Sequence, residues 1–80
     1  MDVLKMIREE GWGFKLPGER SLYWNPRGRV PAGCLEIFIT GRGQITWYLV
    51  RVSDEVIEEA RRIKEARRRA LEDLRYEWER

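Results

Sequence analysis

The last third of the chain, residues 53–80, reads SDEVIEEARRIKEARRRALEDLRYEWER and contains neither Gly nor Pro. Ala, Leu, Glu and Arg dominate it, and these residues favour helix interiors. With Ser53 as an N-cap, the pattern predicts one uninterrupted helix over residues 54–80, about 40 Å long at roughly 1.5 Å per residue. A globule of this chain length is only about 30 Å across. We therefore expect part of this C-terminal helix to project past the core.

The apolar residues of this helix share one face. They fall within an arc of about 100° that continues into the last turn: Val56, Ala60, Ile63, Ala70, Leu71, Leu74 and Trp78. Arg67 lies in the middle of the arc. It divides the face into a proximal stripe (Val56, Ala60 and Ile63) and a distal stripe (Ala70, Leu71, Leu74 and Trp78).

The two stripes predict different neighbours. We expect the proximal stripe to pack on a sheet and the distal stripe to engage another copy or a partner, because a solvated helix end is normally polar. Arg67 should mark the boundary, with its aliphatic stem on apolar surface and its charged head solvated or paired. The alternative is a compact monomer in which an N-terminal helix covers the distal stripe.

The N-terminal segment predicts a short helix over residues 2–10. Asp2 is a suitable N-cap for it, and Gly11 is a typical C-terminal stop. The period of the pattern then changes, and residues 13–52 predict an antiparallel sheet.

The clearest element of this sheet is a hairpin. Residues 35–40 and 44–52 are rich in β-branched and aromatic side chains and flank the turn formed by residues 41–43. Alternation groups the apolar side chains by face: Leu35, Ile37 and Ile39 in the first strand, and Ile45, Trp47 and Leu49 in the second. The opposite faces are also partly apolar. We therefore expect helices on one face of the sheet and another layer, such as a second subunit, on the other.

The predicted order is α-β-β-β-α, so the fold class is α+β, with one domain over residues 1–80. An additional short strand over residues 21–25 is an alternative. The same order is found in double-stranded RNA-binding domains and in small ribonuclease toxins built on that frame, and the segment Ile7-Arg8-Glu9-Glu10-Gly11-Trp12 resembles the helix end of those toxins. The resemblance implies a shared frame but not ribonuclease activity, because the toxins' catalytic His has no counterpart in a chain without His.

Composition excludes several classes of protein. Cys34 is the lone cysteine, so it has no intramolecular disulfide partner, and no Cys/His zinc motif is present. No segment is long and apolar enough to span a membrane, and the charged N-terminus does not resemble a signal peptide. We expect a cytoplasmic protein without membrane association. The excess of Arg over Lys and the scarcity of side-chain amides are typical of a heat-adapted source.

Candidate catalytic groups are few. Without His, the chain lacks the usual general base near neutral pH. Glu19 and Glu36 are the only carboxylates between residues 11 and 52, whereas hydrolytic metal sites use clusters of such groups. The sequence therefore predicts a protein that is not an enzyme and that holds no metal or cofactor.

Cationic residues on the sheet and its loops favour a different function. Residues 1–52 contain eight Lys or Arg against five Asp or Glu, and five of these cations lie on predicted turns or strand ends: Lys15, Arg20, Arg27, Arg29 and Arg42. Guanidinium groups on turns reach phosphates, and Trp24 is a candidate for stacking on a base. A nucleic-acid-binding module is thus the alternative function.

The arginines of the C-terminal helix have another explanation. Three of them have an acid four residues away on the same face, in the pairs Glu58–Arg62, Glu65–Arg69 and Arg68–Glu72. Such pairs stabilise an exposed helix without a ligand.

We rank a protein-interaction module first. Arginines on loops need no ligand to explain them, whereas a helix whose apolar face continues past the core is difficult to explain without a partner. The predicted contact residues are Arg67, Leu71, Leu74 and Trp78, with Trp78 as the dominant anchor. A homodimer is the expected assembly, and another protein is the alternative partner. A small inhibitor or adaptor encoded by a mobile element or virus fits this description.

Overall fold

A computed structural model of the chain describes residues 1–21 and 28–78, with side chains as far as residue 74. Its elements are α1 (Val3–Arg8), β1 (Gly13–Lys15), β2 (Cys34–Gly41), β3 (Gln44–Arg51) and α2 (Asp54–Trp78). This order confirms the predicted α+β class. The alternative strand over residues 21–25 falls, apart from Ser21, outside the described residues, as do the last two residues of the predicted C-terminal helix.

Both helices begin at the predicted caps. The Asp2 carboxylate accepts the backbone N–H of Lys5 at 3.1 Å, and Ser53 Oγ accepts the N–H of Val56 at 3.4 Å. These bonds satisfy donors that have no partner inside a helix. The first helix is shorter than the predicted span of residues 2–10, because the chain leaves helical geometry after its C-cap at Glu9.

The three strands form one antiparallel sheet in the order β1-β2-β3. Gly41 pairs with Gln44 across the hairpin, so the turn has two residues rather than the predicted three. Its residues, Arg42 and Gly43, have φ angles of 49° and 77°. Positive φ at both central positions defines a type I′ turn, whose twist matches that of the flanking strands.

The register identifies the face that the helices cover. Leu35 lies opposite Val50, and Ile37 lies opposite Tyr48, so these side chains share one face. Leu35 and Ile37 are fully buried there and join one apolar cluster with residues of both helices. The other members of this cluster are Val3, Ile7, Phe14, Leu16, Ile57 and Ala60.

The opposite face of the sheet carries a buried carboxylate. Glu36 is fully buried on β2, and Ser21 Oγ donates a hydrogen bond of 2.7 Å to its Oε1. The segment that contains Ser21 is closed by an antiparallel bridge between Arg20 and Arg29. The described part of the connection between β1 and β2 thus contacts Glu36 through Ser21, on the face where the sequence suggested another layer such as a second subunit.

The proximal part of α2 forms the helical layer. Ile57 and Ala60 are buried and Val56 and Ile63 are partly buried, as the proximal stripe predicts; Ile57 is an addition to it. An ion pair between Arg8 and Glu59 ties α1 to α2. No helix in the described part of the chain is long and apolar enough to cross a membrane.

The hairpin turn contains a strained residue whose replacement should stabilise the protein. Left-handed φ is unfavourable for Arg42 because its Cβ crowds the backbone, whereas Asn is preferred at this position of a type I′ turn. We expect Arg42→Asn to raise the free energy of unfolding by about 0.5 to 1 kcal/mol, measured by urea denaturation. Gly43→Ala is the matched control and should destabilise; an Arg42→Asn variant no more stable than the wild type would contradict the assignment.

The ion pair between Glu19 and Lys64 should make stability depend on pH. Burial acts to raise the pKa of the Glu19 carboxyl, but hydrogen bonds from Lys64 and from the Leu16 N–H outweigh it, and the pKa lies below its ordinary value of 4.5. Stability from such a group is complete above the unfolded pKa and is lost as pH falls through the folded one. Urea unfolding between neutral pH and about pH 3 should show a shallower acid slope for Glu19→Gln than for the wild type. Equal slopes would show that this pair contributes nothing.

Candidate interaction surface on the C-terminal helix

Helix α2 is longer than the sheet on which it packs. Its 25 residues span about 37 Å, whereas an eight-residue strand such as β2 spans about 27 Å. All residues from Ala66 to Leu74 are exposed. The distal part of the helix therefore extends beyond the layer that buries its proximal part, as the sequence predicts.

The exposed part of α2 keeps an apolar stripe. Leu71 and Leu74 are 67% and 55% exposed, on the helix face that is buried about three to five turns earlier at Ile57 and Ala60. The first helix does not cover them, because its contacts with α2 are made at Glu59 and Arg67. The compact monomer considered as an alternative is thus not the arrangement found. Trp78 ends the helix, and its side chain lies beyond the described side chains.

Arg67 occupies the boundary that the sequence assigns to it. Its guanidinium donates to the carbonyl oxygens of Ile7, at 2.5 Å, and Trp12, at 3.4 Å, and lies 5.5 Å from the centroid of the Phe14 ring. Ile7 is in the last turn of α1, where carbonyl groups lack helical partners and the helix dipole is negative. Arg67 thus caps α1. Its predicted contact with a partner stays a prediction.

Lys64 makes a parallel set of contacts one turn earlier. Its Nζ donates to the Glu19 carboxylate at 2.5 Å and to the Phe14 carbonyl at 3.5 Å, and lies 5.4 Å from the Phe14 ring centroid. Both cations thus lie within reach of one aromatic ring. They close the apolar core on the side from which the distal helix emerges.

Several other charges of α2 pair with one another among the described side chains. The predicted pair Glu65–Arg69 is present at 3.6 Å, whereas Arg68 turns to Glu65, at 2.6 Å, and not to Glu72. A hydrogen bond from Arg68 lowers the pKa of the Glu65 carboxyl, and the same bond raises the pKa of Arg68. Exposed pairs of this kind contribute little to stability, but they neutralise the polar face. Among the described side chains of the distal stripe, Ala70, Leu71 and Leu74 are all exposed.

The residues of the alternative nucleic-acid site lie in separate places. Lys15 is opposite Glu36 near one end of the sheet, and Arg29 there donates to the Gly18 carbonyl at 2.5 Å. Arg42 is at the hairpin tip, six residues from Glu36 along β2, or about 20 Å. Trp24 and Arg27 lie outside the described residues. The described cations thus form no single patch, and nucleic-acid binding stays a prediction.

Both carboxylates considered for catalysis have structural partners. Glu19 is bound by Lys64 and Glu36 by Ser21. Among the residues that the structure describes, no three His, Cys, Asp or Glu side chains are grouped as a metal site requires.

Three exposed apolar residues on the hairpin were not selected from the sequence. Ile39, Ile45 and Tyr48 are 41%, 48% and 40% exposed. The alternating pattern predicts an apolar face for each strand but not where the covering layer ends. The pattern within the strands contained no signal for that end.

The capping contacts of Arg67 predict an effect on stability. Because hydrogen bonds from a charged donor contribute about 1.5 to 3 kcal/mol and this group is partly solvated, we expect Arg67→Gln to lower the free energy of unfolding by about 1 to 2 kcal/mol. Arg68→Gln, its exposed neighbour, is the control and should leave the free energy of unfolding nearly unchanged. Equal effects in urea denaturation would exclude the cap.

Comparison of the chain with protein-family models, with curated proteins and with solved structures gave no match. Function is inferred below from the chain's own residues.

Proposed function

We propose that this protein is a non-enzymatic interaction module that self-associates through the distal stripe of α2. The observation that supports this is the exposure of Leu71 and Leu74, 67% and 55%, on a helix face that is buried earlier in the same helix. Full burial of one Leu side chain contributes about 1.5 to 3 kcal/mol. A dimer buries four of them, two from each copy.

The position of the core favours an antiparallel pair. The sheet occupies the stripe side of α2 along its N-terminal half, so a second helix has room only along the C-terminal half. If the two helices are antiparallel, the second domain lies beyond the end of the first helix. A parallel pair would bring both domains into the same space. The antiparallel pair has the twofold symmetry that is commonest among soluble oligomers.

The order of charges along α2 is consistent with this direction. Arg68 and Arg69 precede Leu71, and Glu72 and Asp73 follow it. A twofold axis near Ala70 places the basic residues of one helix beside the acidic residues of the other. Because these groups are exposed, they act on orientation more than on affinity.

The proposed interface is small. Two short helical stripes bury less than the roughly 1,200 Å² of a standard complex, so the dimer should be reversible. Such an assembly suits a small inhibitor or adaptor, of the kind that mobile elements or viruses encode. The single free thiol, Cys34, is consistent with action in the reducing cytoplasm.

Substitutions in the distal stripe should weaken self-association without unfolding the monomer. We expect the double variant Leu71→Gln, Leu74→Gln to raise the dimer dissociation constant at least about tenfold, since each lost apolar contact costs more than 1 kcal/mol. Trp78→Ala should cost about 2 kcal/mol or more if Trp78 is the anchor. Sedimentation equilibrium over a range of concentrations measures both.

The control is the double variant Glu58→Gln, Arg61→Gln, which removes an exposed ion pair on the opposite side of α2; it also introduces two amides in the same helix but leaves the net charge and the stripe unchanged. It should associate like the wild type. A wild type that stays monomeric up to its solubility limit, or a Leu71→Gln, Leu74→Gln variant that associates normally, would overturn self-association through this stripe.

A further inference from the structure

The hairpin end of the sheet carries exposed apolar side chains on the face that the helices cover. Tyr48 lies opposite the buried Ile37, and Ile39 is two residues further along β2, so all three side chains share that face. Ile39 and Tyr48 are nevertheless 41% and 40% exposed. The ring of Trp12 lies 5.8 Å from the ring of Tyr48. We refer to Trp12, Ile39 and Tyr48 as the hairpin patch.

Helix α1 ends before it reaches the hairpin patch. Its last residue is Arg8, and the chain then reverses, since Gly11 has a φ angle of 76° and the Trp12 N–H donates to the Met6 carbonyl at 3.0 Å. Trp12 thus connects the end of α1 to Tyr48. Beyond Trp12, no helix in the described part of the chain continues the line of α1.

The side of α2 that α1 contacts continues past the end of α1. Glu59 and Arg67 make the contacts with α1. Ala70 follows Glu59 by eleven residues, which is close to three whole turns. Leu74 follows Arg67 by seven residues, which is close to two turns. Ala70 and Leu74 therefore lie on the α1 side of α2, and both are exposed. A helix in line with α1 would contact them and lie over the hairpin patch.

We propose that the last turns of α2 from a second copy of this chain occupy that position, with Trp78 of the partner subunit against Ile39 and Tyr48. The inference rests on the proposed self-association through α2. It adds that the interface includes the sheet of each copy and is not confined to the two helices.

An antiparallel pair brings the end of the partner helix to this position. Trp78 ends α2 and lies eight residues after Ala70, whereas Arg67 lies three residues before Ala70. With the twofold axis near Ala70, the end of the partner helix therefore extends past the level of Arg67 and reaches the first domain. Arg67 donates to the Trp12 carbonyl at 3.4 Å, so the distal stripe and the hairpin patch adjoin there.

Arg67 is suited to the junction between the two helix ends. A guanidinium has five donors, and the bonds of Arg67 to the carbonyls of Ile7 and Trp12 are on the side of α1. The carbonyl groups in the last turn of the partner helix also lack helical partners. One cation thus serves two negative helix ends, which is the contact with a partner that the sequence predicts for Arg67.

The added contact enlarges an interface that is otherwise small. The distal stripes alone bury less than the roughly 1,200 Å² of a standard complex. A buried Trp side chain removes about 150 to 250 Å² from water, and twofold symmetry uses each Trp78 and each hairpin patch once. Two Trp side chains therefore supply about a quarter or more of that area. A second copy fits the patch better than an unrelated helix, because one association covers both surfaces.

Sedimentation equilibrium with hairpin variants tests the contact. We expect Ile39→Gln to raise the dimer dissociation constant about tenfold, because it places an amide in an apolar contact. The matched control is Ile45→Gln, the same change on the same hairpin at 48% exposure. Ile45 lies opposite Thr40, on the other face of the sheet, so this variant should associate like the wild type. Urea unfolding of both variants checks that each keeps the fold.

A double-mutant cycle tests whether Ile39 and Trp78 touch across the interface. Side chains in contact are coupled, so the combined variant Ile39→Gln, Trp78→Ala should raise the dissociation constant less than the product of the two single increases. The combined variant Ile45→Gln, Trp78→Ala should show the increase of Trp78→Ala alone.

The results distinguish this contact from self-association itself. Independent effects of Ile39→Gln and Trp78→Ala, or equal effects of Ile39→Gln and Ile45→Gln, would overturn the contact. If Leu71→Gln, Leu74→Gln weakens the dimer and Ile39→Gln does not, self-association through the stripe stands and this inference alone fails. A wild type that stays monomeric would overturn both and leave the hairpin patch to a different protein.

Discussion

The packing of Ile57 and Ala60 of α2 against Leu35 and Ile37 of β2 is the contact on which the rest of the structure depends. These four residues are buried to 7% exposure or less, and they join the only two layers that the described residues form. The core is small, because a chain of 80 residues buries a limited share of its surface. Polar groups lie at the margin of this core.

Lys64 and Arg67 are the most informative of these marginal groups. Each lies on the apolar face of α2, each passes the Phe14 ring, and each ends on an oxygen of the N-terminal half of the chain. Burying a cation within an apolar stripe costs desolvation free energy unless its charged head is paired. Here the pairing fixes where the core ends, since no apolar residue of α2 beyond Arg67 is buried among the described side chains. Arg67, which interrupts the apolar stripe, therefore marks where the apolar core ends along α2.

Local signals made much of this fold predictable. Asp2 and Ser53 bind the donors expected of caps, and the stripe of α2 is buried and then exposed at the boundary predicted from Arg67. The turn length was predicted incorrectly, because Gly41 reads as a turn residue although it pairs with Gln44. A change of one residue in register reverses every side chain of a strand, so the face of β3 that packs under the helices could not be assigned from sequence.

Other features depend on contacts that are distant in sequence. The carbonyl acceptors of Arg67 belong to residues 55 and 60 positions earlier, and nothing local to Arg67 identifies them. The burial of Glu36 depends on a connection that folds back over its own sheet.

The proximal and distal parts of α2 are stabilised in different ways. Along the proximal stripe, packing on the sheet supports the helix. From residue 68 to residue 74, support comes only from intrinsic propensity and from pairs such as Glu65–Arg68, and a helix segment of that length is marginal in water by itself. A partner that docks there also completes the ordering of the segment it binds. Affinity would then depend on residues at the back of the helix that touch no partner, since each change in their propensity shifts the population of the binding-competent state.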